Sequence, residues 1–90
     1  MKATTMTIEE FATAFPVYVE AECRDGQYEI TGKQRLETAS LMPMGGESVE
    51  IRETGLKGWG YDVFAVVNMG GGFTIAIMAK AAQPTPPGLS

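Results

Sequence analysis

Two stretches near the C-terminal end of the chain are apolar at nearly every position. Tyr61 to Val67 and Phe73 to Ala79 are joined by Asn68-Met69-Gly70-Gly71-Gly72. Short apolar runs bounded by turn residues predict strands with both faces buried. Such a hairpin belongs at the centre of a sheet, and the rest of the chain is expected to cover it.

Elsewhere the pattern alternates. Val17, Val19, Ala21 and Cys23 interleave with Tyr18, Glu20 and Glu22. This predicts a strand with the first set inward and the second in water. Asp25-Gly26 supplies a tight turn. Gln27 to Gly32 then returns with Tyr28 and Ile30 inward and Glu29 and Thr31 outward. Glu20, Glu22 and Glu29 are therefore expected on one solvent face. Glu47 to Thr54 alternates again, with Val49 and Ile51 inward and Ser48, Glu50 and Arg52 outward. Lys33 to Met42 admits either a helix or a strand, and the strand is favoured because it continues a hairpin-rich chain.

The N-terminal part has helical spacing. Ile8, Phe11, Ala12 and Phe15 form one apolar stripe. Thr7-Ile8-Glu9-Glu10 matches a capping box, Met6 and Phe11 are spaced as a hydrophobic staple, and Pro16 stops the helix. One short helix and several strands joined by tight turns predict an α+β domain. The expected form is a short N-terminal helix packed on an antiparallel five- to six-stranded curved sheet or small partly open barrel. Residues 1–80 are expected to form this single globular domain, and residues 81–90 a Pro-rich flexible tail.

Composition narrows the function. The chain has 90 residues, a net charge of −4 and no basic run. Direct nucleic-acid binding, which rests on clustered cations, is not expected. An acidic chain suits a basic protein partner instead. A hairpin apolar on both faces in so small a domain also points to a homo-oligomer, with a dimer as the first expectation. A single cysteine, no leader-like N-terminus and no apolar run near the about 20 residues of a membrane helix predict a cytoplasmic protein without membrane association.

Candidate chemistry is sparse. The chain has no histidine, which removes the usual base near neutral pH and the commonest metal ligand. Cys23 is expected to pack in the core, where a thiol is inert, and a single cysteine builds no zinc site. Glu20 and Glu22 lie roughly 7 Å apart on a strand, a glycosidase-like separation, but an exposed strand supplies no cleft. Glu47, Glu50 and Glu53 lack calcium-loop spacing. Gly55-Leu56-Lys57-Gly58 has the G-x-x-G form of an RNA-clamping loop but reads as a turn between strands.

Neither a catalytic residue nor a cofactor or metal is expected. Two surfaces remain. The first is the acidic face of Glu20, Glu22 and Glu29, suited to blocking a basic nucleic-acid site on a partner. In size and charge the chain resembles small acidic phage-encoded inhibitors of host defence systems, a likeness of size and charge alone. The second is Gly70, Gly71 and Gly72 with Trp59 and Tyr61. Successive backbone N–H groups there would face an anion or nucleotide, at a seam between protomers, while Trp59 and Tyr61 would anchor an interface or plug a barrel end. Met42, Met44 and Met69 fall in or beside loops and join the candidate interface.

Overall fold

A computed structural model describes residues 4–32, 34–42, 47–56, 58 and 60–82. In chain order the elements are β1 (Thr4–Thr7), α1 (Ile8–Ala14), β2 (Val17–Arg24), β3 (Gln27–Ile30), β4 (Leu36–Glu37), a 3-10 turn (Thr38–Leu41), β5 (Ser48–Thr54), β6 (Val63–Asn68) and β7 (Thr74–Lys80). The strands pair antiparallel in the order β1-β5-β6-β7-β2-β3, and β4 adds to β2. The α+β architecture with an antiparallel sheet is as expected. The strand count is seven among the described residues rather than five or six, and the sheet does not close.

Helix α1 forms as its sequence dictates. The Thr7 Oγ1 accepts from the Glu10 N–H, and the Thr7 N–H donates to the Glu10 carboxylate, so both halves of the capping box are made. Pro16 ends the helix, and Phe15 caps it through an N–H bond to the Phe11 carbonyl. Seven residues make no stable helix in isolation. Burial of Ile8 and Phe11 against the sheet holds it in place.

The β6–β7 hairpin sits mid-sheet, and both of its faces are buried. On the first face Val63, Ala65, Val67, Ile77 and Ala79 pack under Ile8, Phe11 and Leu41. On the second face Phe64 and Met78 pack with Val19, Ala21 and Leu56, and Tyr28 and Tyr61 cover them. Cover for the two-faced hairpin thus comes from within the chain.

The second half of β2 and β3 make the second layer. Val17 to Glu20 pair with Lys80 to Ile77, and Ala21 to Arg24 pair with Ile30 to Gln27. After Glu20 the strand leaves β7, and the β2–β3 ribbon folds across the second face. The Tyr28 ring packs tilted against Phe64 at 4.8 Å between centroids, and its hydroxyl donates to Glu53 of β5 at 2.6 Å.

Three inward–outward expectations are corrected. Tyr18, expected in water, is only 3 % exposed, because it precedes the point where β2 leaves the sheet and the Leu36–Leu41 segment covers it. Cys23, expected in the core, is exposed, because it lies near the ribbon tip beyond the reach of β7. Ile30, expected inward, is 37 % exposed, because it lies on the edge strand β3, outside the buried Ala21 that it pairs with on β2. Lys33 to Met42, expected as a strand, is a two-residue strand followed by a 3-10 turn among its described residues. Thr38 fixes that turn, its hydroxyl donating to the Phe15 carbonyl and its N–H to that of Pro16.

Two further departures come from long-range pairing. Strand β1 was not expected, because Thr4–Thr7 carries no strand pattern of its own and is extended by pairing with β5. A bulge between Ile51 and Glu53 leaves Arg52 unopposed. The extra residue shifts the alternation, so Glu53 turns toward the second face and meets Tyr28. The tail beyond residue 82 lies outside the described residues. Before it, the Ala81 N–H donates to Asp62 and the Ala82 N–H to the Ala14 carbonyl.

Candidate functional site

The acidic face is assembled as the alternation predicts. Glu20 and Glu22 stand two residues apart on β2, and Glu29 is the direct cross-strand partner of Glu22. All three lie on the side of the ribbon turned away from the second core. Asp25 and Gly26 close the ribbon with positive φ, 51° and 77°. Gly32 fits against Glu20, where a Cβ would sit 3.0 Å from the Glu20 Cβ. This close approach lets the chain cross β2 while the Glu20 carbonyl accepts from both Thr31 and Gly32.

Like charges placed directly opposite on a sheet are destabilising. The local compensation for Glu22 is Arg24, whose Nε lies 2.9 Å from Glu22 Oε1. The hydrogen bond and charge of Glu22, then the charge of Glu29, push the Arg24 pKa up. Both members of that ion pair are exposed, so it offsets little of the repulsion. Glu20 and Glu29 make no side-chain salt bridge among the described residues.

The glycine loop lies at the opposite end of β6 from Tyr61. The six residues of β6 separate them by roughly 20 Å. Within one chain Gly70, Gly71 and Gly72 are therefore not brought together with Tyr61, because each flanks a different end of the same strand. Tyr61 covers the second core, with the Lys80 Nζ 5.6 Å from its ring centroid. Trp59 and Met44 lie outside the described residues. Met69 packs on the first core, while Met42 is exposed.

Gly70, Gly71 and Gly72 all have positive φ, and the Phe73 N–H closes the turn on the Gly70 carbonyl. The loop borders a hollow of about 380 Å³ lined also by Thr5, Glu50, Arg52, Asn68 and Thr74. Its charges oppose an anion. The Glu47 carboxylate lies against Gly70, and the Arg52 guanidinium is bonded to Glu50 at 2.7 Å. Sequence reading placed Arg52 in water and did not connect it to this loop. The connection depends on the β5–β6 register, for which no local signal exists.

No described group of three or more acidic or cysteine side chains is arranged to hold a metal ion. No described helix is long and apolar enough to cross a membrane. No family model, no curated protein and no solved structure matches the chain.

Proposed function

We propose that the chain is a non-catalytic interaction protein that binds and blocks a macromolecular partner through the acidic face of the β2–β3 ribbon. The observation that carries this reading is the Glu22–Glu29 cross-strand pair, with Glu20 beside it, on a ribbon that has left the main sheet. The arrangement weakens the ribbon in isolation and is relieved when a cationic surface covers it. A partner of matching chemistry presents clustered Lys and Arg, as the nucleic-acid groove of another protein does.

The test captures partners with the wild-type chain and with Glu20→Lys/Glu22→Lys. The expected partners bind more weakly as salt rises, are displaced by nucleic acid, and are lost with the charge-reversed variant while its fold is intact. Capture that is indifferent to both charge reversal and nucleic acid refutes the reading.

A second reading, a small-molecule or nucleotide-sequestering protein at a homo-oligomer interface, draws on the hollow beside Gly70–Gly72. The carboxylates of Glu47 and Glu50 there favour a neutral or cationic ligand over a phosphate. A thermal-shift screen that returns only nucleotides would restore the anionic version.

A further inference from the structure

The acidic face includes one strand, β3 with Glu29, whose outer edge has no partner among the described residues, since β3 pairs with β2 alone. The direction of its backbone groups follows from the bonds around it. Asp25-Gly26 is a two-residue turn, so Arg24 and Gln27 close the hairpin. The Thr31 N–H donates to the Glu20 carbonyl, so residue 31 is turned toward β2. By the period of two, Gln27 and Glu29 face β2 as well, and the N–H and C=O groups of Tyr28 and Ile30 point outward.

Exposed edges of this kind are usually guarded by lysine, proline or a bulge. The described residues of β3, Gln27–Ile30, contain none of these; the strand is short and its one charge is the acidic Glu29, and Ile30 adds an exposed apolar side chain to the edge. The two sides of the edge differ in chemistry. Glu29 and Glu22 stand on one side and Ile30 on the other.

Resting on the proposed acidic-face reading, we infer that β3 accepts an added antiparallel strand from a basic partner segment in which apolar and cationic residues alternate. The residues that exchange backbone hydrogen bonds with Tyr28 and Ile30 have side chains on the Ile30 side and are apolar. The residues between them lie beside Glu29 and are Lys or Arg. Backbone pairing sets the register, and the carboxylates exclude neutral or acidic strands with the same alternation.

The experiment titrates the full chain with a synthetic peptide of alternating lysine and valine. Hydrogen exchange of the Tyr28 and Ile30 amides is followed alongside affinity. The expected result is binding that slows exchange at these two amides. Replacing lysine by glutamate in the peptide abolishes binding, and Glu29→Lys weakens it by about tenfold or more. N-methylation of the peptide valines removes the donors that face β3 and also abolishes binding, and this arm leaves the protein untouched. Ile30→Pro deletes an outward N–H together with the Ile30 side chain and acts in the same way, while the methylated peptide isolates the backbone contribution.

Binding that depends on Glu29 but survives both valine methylation and Ile30→Pro overturns strand addition and leaves the acidic-face reading standing. No binding of the lysine–valine peptide, with the wild-type chain folded, overturns strand addition, and the charge-reversal capture decides the acidic-face reading separately. A dimer mass that Ile30→Pro removes in the absence of peptide assigns the edge to a second copy and overturns the basic segment as occupant.

Discussion

The Tyr28 hydroxyl ties the ribbon to the main sheet, and removing it alone measures that tie. Tyr28→Phe keeps the ring that packs against Phe64 and on the second core. Only the 2.6 Å bond to Glu53 is lost. Hydrogen bonds to charged groups contribute about 1.5–3 kcal/mol when buried. Glu53 is half-buried, and water re-solvates part of its carboxylate, so the loss should fall near about 1–2 kcal/mol. In a domain of this size each kcal/mol shifts Tm by roughly 4–8 °C. Thermal unfolding followed by circular dichroism should therefore show a drop of about 4–16 °C. Native-state hydrogen exchange adds a local readout. The β2–β3 amides should exchange faster, while those of β6 and β7 should change only by the global loss. A Tyr28→Phe protein that melts within about 1 °C of wild type, or in which exchange rises evenly everywhere, refutes the idea that this bond holds the ribbon down.

Two further outcomes follow from the core and from titration. Phe11 is fully buried and is the main anchor of α1, so Phe11→Ala should cost about 3–5 kcal/mol and leave a marginal or unfolded protein in a denaturant titration. Burial, then the bond and charge of Glu53, push the Tyr28 pKa up to about 12 from 10.0. Burial also raises Tyr18, against the Ser40 hydrogen bond and with the Glu20 charge. Between pH 10 and 12 the unfolded chain releases tyrosine protons that the folded chain keeps, so stability is intact below pH 10 and falls as pH rises through that window. Tyr28→Phe should flatten this fall, and tyrosinate absorbance should show Tyr18 and Tyr28 titrating late.

The elements that were legible are those with local causes. The capping box at Thr7 and Glu10, the stop at Pro16 and the Asp25-Gly26 turn each act within a few residues of themselves. The two-faced β6 and β7 were legible because continuous apolar runs have few alternatives. Thr4–Thr7 was not, since only pairing with β5 makes it a strand. Tyr18 and Cys23 defeated the alternation of β2 for one shared reason: the strand lies in the sheet at one end and in the ribbon at the other, so one parity rule cannot hold along it. The contact of Glu53 with Tyr28 was not legible, because a single unopposed residue at Arg52 shifts the pattern. Of the site, the acidic face followed from alternation and turn. The separation of Gly70–Gly72 from Tyr61 was also implicit, because a six-residue strand must span the distance between them.

The dual membership of β2 has a consequence for the order of assembly. Its pairing with β3 spans a two-residue turn and belongs among events that take roughly microseconds. Its pairing with β7 joins Val17–Glu20 to Ile77–Lys80, across most of the sequence, and contacts so distant along the chain slow folding. Two hairpins, β2–β3 and β6–β7, are thus expected to form early and to wait for one slow docking step in which the first half of β2 meets β7. The barrier should be most sensitive to Val19 and Met78, which face each other at that seam.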